Sequence, residues 1–453
     1  MTDLRSFLDR VRKERRSDLI EVAREVSPRH ETTAILTKLE QRQRSPILLF
    51  RKVAGTKFPV VTNVCGSMGR LALALDCPLR MVGDRYAEAC RHLVPPAVSG
   101  DAPVQSNVLR GSEIDLGMLP QLVYHEHDTH RPYITAAIAV ARDPETSRVN
   151  LSYHRLMIAD RDKTGIFMEK GKHLDAIYRK YANAGRSMPI AFFLGAHPLW
   201  SLGALYSGPA DEYGVIGGLL KSPLPVAECV SQPGLQVPTH AEFALEGFVP
   251  PDERIEEGPF GEFTGYGTGV MRTPVFHVEA MTFRDDPLFQ DVVSGHMEHL
   301  ILPLPAIEAR TLADARRAAS GVTRVSLVAP LTAIVALEKT DDEQPEQVIR
   351  ALLEADVYSK LVIVVDAHVD VADLREVLSA MALKMQASRD VYIYPDMQGT
   401  PLDPSCESEE GRVSKMGIDA TRRIKGARRV TRNSVPQRLL DSIDVSEFLI
   451  PKV

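Results

Sequence analysis

Tyr133-Ile134-Thr135-Ala136-Ala137-Ile138-Ala139-Val140-Ala141 and Val149-Asn150-Leu151-Ser152-Tyr153-His154-Arg155-Leu156-Met157-Ile158 are two apolar-rich runs joined through Asp143-Pro144-Glu145-Thr146-Ser147. Pro, Asp and Ser preset turn geometry while Ile, Val and Tyr suit a pleated surface, so residues 133–158 are predicted to form a β-hairpin. Downstream, a helix is expected over 173–184 and strands near 189–194, 239–248 and 273–283. Many strands punctuated by Gly and Pro from about Gly111 onward, with few helices between them, predict a barrel-like β core.

On either side of that core the period changes. Residues 2–16 place Leu4, Phe7, Leu8 and Val11 on one helical face with Thr2 as the expected cap, and Ile35, Leu36 and Leu39 repeat at helical spacing within 32–41. Strands at 47–50 and 59–64 and a short helix at 71–75 make an N-terminal α/β region, assigned to residues 1–110. After about Ile307, strands at 325–328, 333–337, 361–366 and 391–394 alternate with helices at 345–355 and 371–385, the βαβαβ order of a separate α/β domain over 307–453. The β core takes 111–306, and the tail after Pro395, rich in Gly and Pro, is expected to be irregular.

A chain of 453 residues, 44% hydrophobic and 25% charged, has room for two or three ordinary globular cores. A net charge of -6 offers no basic surface for nucleic acid or an anionic membrane, and no run approaches a membrane span. The N-terminal cluster of Arg and Lys is followed by no apolar stretch of the signal-peptide kind. Cys65, Cys77, Cys90, Cys229 and Cys406 lack CxxC spacing, which speaks against a disulfide framework and a zinc ribbon; a cytoplasmic home is expected.

Glu256-Glu257-Gly258-Pro259-Phe260-Gly261-Glu262-Phe263-Thr264-Gly265-Tyr266 puts three carboxylates inside seven residues, and its glycines and proline predict neither a helix nor a regular strand. A Gly-Pro turn lets Glu257 and Glu262 reach one cleft, where ionising the second beside the first is costly and one keeps a proton near neutrality. Such a group serves as a general acid; the same residues also read as an acidic surface loop. Arg155 is the candidate to bridge two carboxylates, or to offer its fork to a substrate carboxylate. Asn150, His173 and Glu228 form a mixed oxygen and nitrogen set suited to manganese or magnesium, and equally read as a capping Asn, a helix-end His and an exposed Glu. Strict strand parity sets Asn150 and Arg155 on opposite faces, so one site uses both only through a bulged strand or a cofactor wrapped around its edge. His125-Glu126-His127-Asp128-Thr129-His130 reads as a transition-metal cluster or as a polar loop before a strand, and His296-Met297-Glu298-His299 has its histidines three apart, without the spacing of a zincin. Gly411-Arg412-Val413-Ser414-Lys415-Met416-Gly417 reads as a phosphate loop or as a solvated turn.

Taken together, these pieces resemble the UbiD family of reversible decarboxylases over most of the chain. The carrying motifs are Asn150 through Arg155, Gly171-Lys172-His173, Glu228, Glu257 through Glu262, and Ser414-Lys415-Met416-Gly417-Ile418-Asp419-Ala420-Thr421. The resemblance implies a prenylated FMN, made by a separate flavin prenyltransferase and bound in a split β-barrel between two α/β regions. Its implied contacts are Ser152, Tyr153, His154, Arg155, Lys172, His173, Gly217, Gly218, Leu220 and Lys415. Asn150, His173 and Glu228 would bind Mn2+ (or Mg2+) with the cofactor phosphate, and K+ would touch Glu228, the backbone of 217–220 and Ser414. The C-terminal domain would make a homodimer or higher oligomer, its tail returning to the active site.

The implied reaction is reversible, non-oxidative decarboxylation through a covalent prenylated-FMN adduct. Glu262 would donate the proton, Arg155 would position it and Glu257 would hold Arg155. The apolar run 300–307, Leu304 included, with His296 and His299 beside it, favours a flat aromatic or heteroaromatic acid, released as product and CO2. The alternative is a split-barrel FMN oxidoreductase using NAD(P)H, for which no G-x-G-x-x-G signature is present.

Overall fold

The computed structural model, which describes residues 3–408, 410–425, 433 and 435–445, contains the hairpin: β1 (Tyr133–Arg142) pairs antiparallel with β2 (Val149–Asp160). Ala137, Ala139 and Ala141 of β1 join one apolar core, while Ile138 and Val140 join another with Leu151 of β2. A strand covered on both faces reads as a continuous apolar run rather than an alternating one. β3 (Lys163–Ile166), β4 (Met188–Leu194), β5 (Phe243–Val249) and β6 (Met271–Phe283) complete the ring in the order β5-β4-β1-β2-β3-β6, and β6 pairs back to β5. All pairings are antiparallel, so the core is a closed six-stranded barrel without a free edge.

The N-terminal region builds a second sheet from Leu19–Val22, Ile47–Phe50 and Val60–Thr62, completed by Phe289–Asp291 from beyond the barrel. Helix Leu4–Glu14 buries Leu4, Phe7, Leu8 and Val11 as expected. Thr2 lies outside the described residues, and the cap is Asp3, whose side chain accepts the Ser6 N–H. Helix Val82–Ala89 was not foreseen, because its polar Asp84, Arg85 and Glu88 dilute the apolar period.

In the C-terminal region the sheet has five strands, ordered Val322–Ala329, Thr332–Leu337, Leu361–Asp366, Arg412–Ala420 and Val391–Gln398. The tail is therefore not irregular throughout: Arg412–Ala420 runs between two other strands, parallel to one and antiparallel to the other. Its pattern hid because buried Lys415 and Asp419 occupy inward positions, each satisfied by hydrogen bonds. Helix Leu304–Ala318 spans the boundary expected at 306–307. Among the described residues no helix is long and apolar enough to cross a membrane.

Candidate active site

Arg155 leaves β2 opposite an irregularity in β1. The pairing slips from Ile134↔Leu156 to Ala137↔His154, so Thr135 and Ala136 together face Arg155. The bulge is thus in the neighbouring strand; β2 pairs regularly over 149–154, and Asn150 and Arg155 keep the opposite faces that parity dictates. The acidic stretch is more ordered than expected: Glu257 ends the strand Arg254–Glu257 on β6, a cis Gly258–Pro259 bond follows, and Phe260–Gly261 pairs with Gly267–Thr268.

This geometry brings Arg155, Glu257 and Glu262 together. Arg155 Nε donates to Glu257 Oε1 at 2.9 Å and Nη2 to Oε2 at 3.0 Å, while Nη1 donates to Glu262 Oε1. The Nε–Nη2 fork of the guanidinium is therefore taken by Glu257 and its Nη1 by Glu262. Its Cζ also lies over the rings of Phe167 and Phe260, 4.5 and 4.8 Å from their centroids. Tyr133 donates to Glu257 Oε1 at 2.9 Å and accepts the Gly258 N–H at 3.2 Å; burial, then Glu257, pushes the phenol pKa up, so it stays a donor. Glu257 is fully buried and the Glu262 side chain is 12% exposed. Burial raises the Glu262 carboxyl above its ordinary pKa, against the opposing pull of Arg155. One cation facing two buried carboxyls leaves one of them as the place for a proton.

At the start of β2 a different chemistry assembles. Asn150 Nδ2 donates to Ser152 Oγ at 2.9 Å, Ser152 Oγ lies 2.9 Å from His154 Nε2, and His154 Nδ1 lies 2.8 Å from the Phe167 carbonyl. Burial lowers the His154 pKa to about 4, so the ring is neutral; its Nδ1–H faces the carbonyl and its Nε2 accepts from Ser152. This chain turns the Asn150 amide so that Oδ1 points away from Ser152. Arg148, just before β2, reaches Glu212 Oε1 at 3.5 Å, and His173 Nδ1 stands 4.0 Å from that oxygen. Glu212 opens helix Glu212–Leu220, is fully buried, and neither of its oxygens has a hydrogen-bond partner; burial pushes its carboxyl up to about 8. A buried carboxyl with no hydrogen bond, only a long ion pair to Arg148, and an imidazole 4.0 Å away fits a divalent cation.

Glu228, expected in that role, does not join the group. It is exposed, and its oxygens accept from Gln236 Nε2 at 2.6 Å and the Gly234 N–H at 3.3 Å. Glu212 was missed because an acid at a helix start, here after the capping Asp211, is ordinary partnership with the helix dipole. Its signal was an acid heading an otherwise apolar, glycine-containing run. Among the described residues no three His, Cys, Asp or Glu side chains form a metal-binding group, so a cation here draws only His173 and Glu212 from those types.

Other expected contacts divide. Lys172 is exposed at the start of helix His173–Asn183, whose N-terminus has no side-chain cap, an arrangement suited to a phosphate. Tyr153 is held through its hydroxyl by Ser201 at 2.7 Å. At Gly217 an added Cβ would meet the Val94 carbonyl at 2.1 Å and at Gly218 the His92 carbonyl at 2.5 Å, so these glycines let their helix close on 89–94. Leu220, at the end of that helix, lines a separate cavity with Trp200 and Pro223. Lys415 is buried and donates to the Leu353 and Asp356 carbonyls at 2.7 and 2.9 Å, closing the end of helix Gln344–Ala355 instead of standing free for a phosphate. Ser414 is exposed on the strand Arg412–Ala420.

The histidines separate likewise. His299 Nδ1 accepts the Gly295 N–H at 3.3 Å, which places its proton on Nε2; burial, then the charge of Arg155, lowers its pKa to about 4. Its ring meets Phe263 at 6.1 Å, and Phe263 meets Tyr358 of the C-terminal sheet region at 5.9 Å. Tyr358, unforeseen, donates to Glu169 at 2.6 Å, and the Lys172 ammonium lies 5.0 Å over its ring. His296 is instead held by Glu40 at 2.8 Å and stacks on His125 at 6.3 Å. Leu304 is half-buried at the head of helix Leu304–Ala318.

Between the two histidines, Glu298 is buried, accepts the Cys65 N–H at 2.7 Å, and has its second oxygen unpartnered. Burial pushes its carboxyl from 4.5 to about 7. Between those values the folded chain holds a proton that the unfolded chain has lost, so stability falls as pH rises through this window. Glu298→Gln should remove that dependence, shrinking the stability difference between pH 5 and pH 8, read by urea unfolding, by on the order of 3 kcal/mol.

The chain matches three family models: the 3-octaprenyl-4-hydroxybenzoate carboxy-lyase N-terminal domain over residues 11–90, Rift-related domain over 97–297 and C-terminal domain over 304–420. Anhydromevalonate phosphate decarboxylase of Methanosarcina mazei is 30% identical over 441 residues, covering 96% of this chain and 99% of that protein. The UbiD-class enzyme HmfF from Pelotomaculum thermopropionicum, solved with FMN, superposes with a TM-score of 0.90 at 34% identity over 99% of this chain and 100% of its own. An evolved dimeric form of HmfF solved with prFMN matches at 0.86 and 32%, over 99% and 100%. Vanillic acid decarboxylase of Sedimentibacter hydroxybenzoicus matches at 0.87 and 28%, over 99% of both chains.

Proposed function

Because the chain belongs to the UbiD family of carboxy-lyases, we propose that it removes CO2 from an aromatic or heteroaromatic carboxylic acid, reversibly and without net oxidation, using prenylated FMN and Glu262 as proton donor. The observation that carries the reading is the buried Glu257–Arg155–Glu262 constellation, in which a single cation serves two carboxyls and one of them has a raised pKa. When bound, prenylated FMN supplies the electron sink without which CO2 loss from an sp2 carbon would leave an unstabilised carbanion.

The chain's own residues do the rest. Lys172 and the open N-terminus of helix His173–Asn183 suit the cofactor phosphate, and Asn150, His173 and Glu212 suit the divalent cation beside it. Asn150 and Arg155 lie on opposite faces of β2, so the residues that would hold the cation and those that would place the proton would serve the cofactor from different sides of that strand. Glu257 and Tyr133 fix Arg155, and Arg155 fixes Glu262, which hands its proton to the carbon that has lost CO2. Phe263, Tyr358 and His299 stand around the acid loop as apolar and edge-donating walls, which favour a flat ring. His299 Nε2–H suits a ring oxygen or nitrogen of the substrate.

Glu212→Gln should lose the bound cation while Glu228→Gln keeps it, as metal analysis of the purified proteins would read. The function itself is tested by co-expression with a flavin prenyltransferase, cofactor mass measurement, and CO2 release from a panel of aromatic and heteroaromatic acids. Anhydromevalonate phosphate and NAD(P)H oxidation complete the panel. CO2 from ring acids is expected. Release from anhydromevalonate phosphate alone would overturn the aromatic assignment, and cofactor-dependent NAD(P)H oxidation without CO2 would overturn the decarboxylase reading.

A further inference from the structure

Glu262 sits on a slender support. It begins the loop between the two-residue strands Phe260–Gly261 and Gly267–Thr268, closed by Glu262 N–H to the Tyr266 carbonyl at 2.8 Å and Gly265 N–H to the Glu262 carbonyl at 2.9 Å. So short a ribbon does not hold a side chain in place by itself. The missing rigidity comes from residues 125–129. Asp128, buried, accepts the Gly261 N–H on Oδ1 at 2.7 Å; its Oδ2 accepts the His125 N–H at 3.0 Å and lies 3.0 Å from His125 Nδ1. Next to it, Thr129 N–H donates to the Pro259 carbonyl at 2.7 Å. Gly261 has no room for a side chain, since an added Cβ would stand 2.7 Å from His125 Nδ1. A charge-assisted bond to the backbone one residue before the proposed donor, backed by an imidazole pressed on that backbone, is a clamp on the donor's position.

We propose that Asp128 is a positioning residue for the reaction, holding Glu262 in register with Arg155 through the backbone of Gly261 and with the His125 ring as its backing. This rests on the reading of Glu262 as proton donor. Asp128→Ala in the holoenzyme should lower kcat by about 10- to 100-fold, leaving KM and cofactor content near the parent values. The freed loop exposes Glu262, so the alkaline limb of kcat should move to lower pH, which a loss of fold alone would not produce. Asp128→Asn keeps an acceptor for Gly261 N–H but not the one for His125 N–H, and should recover most of the loss. Gly261→Ala, which drives His125 off the loop, should reproduce the Asp128→Ala signature; if Asp128→Ala does not fold, these two variants decide. A normal kcat, or a reduced kcat with the limb unmoved, in a protein whose Glu262→Gln variant is inactive, would overturn the clamp alone. An active Glu262→Gln would overturn the donor reading and the clamp with it.

Discussion

Glu262→Gln is expected to bind flavin and cation like the parent and to turn over about two to four orders of magnitude more slowly. The amide occupies nearly the same volume and still offers Arg155 Nη1 an oxygen, so the loop and the ion pair of Arg155 with Glu257 stay in place. What it lacks is the transferable proton. Burial is the larger influence on this carboxyl and raises its pKa, so the protonated, competent form persists below that raised value and is lost as pH climbs through it. The parent's kcat should therefore fall on the alkaline side, and the residual rate of the variant should not follow that limb. Steady-state CO2 release across pH, with cofactor content measured by mass, checks both statements.

Arg155→Met should cost stability as well as turnover. Glu257 is wholly buried and takes its hydrogen bonds from Arg155 and Tyr133. Removing the cation strands a carboxylate in an apolar surround, a loss of roughly 3–5 kcal/mol in urea unfolding of the apo protein. The cation–π contacts with Phe167 and Phe260 go with it. Adding Glu257→Gln to Arg155→Met should restore most of the stability, since no uncompensated charge remains, yet restore no activity. Parent-like stability of the single variant would mean that the pair is not ionic.

The sequence foretold the architecture where burial leaves a periodic trace. The hairpin, helix Leu4–Glu14 and strand Leu361–Asp366 each follow from an uninterrupted apolar pattern. Arg412–Ala420 escaped because Lys415 and Asp419 look like surface residues until their hydrogen-bond partners are known. Glu257 and Glu262 were legible as chemistry before they were legible as geometry, since carboxylates so close together among Gly and Pro have few structural reasons to occur, while Arg155 is 102 residues from Glu257. Glu212 and Glu228 show the opposite case. Both are acids near the start or end of short elements, and only burial without a hydrogen bond separates the one that fits a cation from the one solvated at the surface. Asp128, Tyr133 and Tyr358 act across 124 residues or more in part of their contacts, as with Tyr133 and Glu257, a separation that no local pattern records.

Counting CO2 released in the first turnover by Glu262→Gln loaded with prenylated FMN tests the central claim most directly. If Glu262 supplies the proton after the carbon–carbon bond breaks, the variant should release about one CO2 per loaded site and then fall to its slow residual rate, while the parent continues. Continued release at the parent's rate would contradict the account.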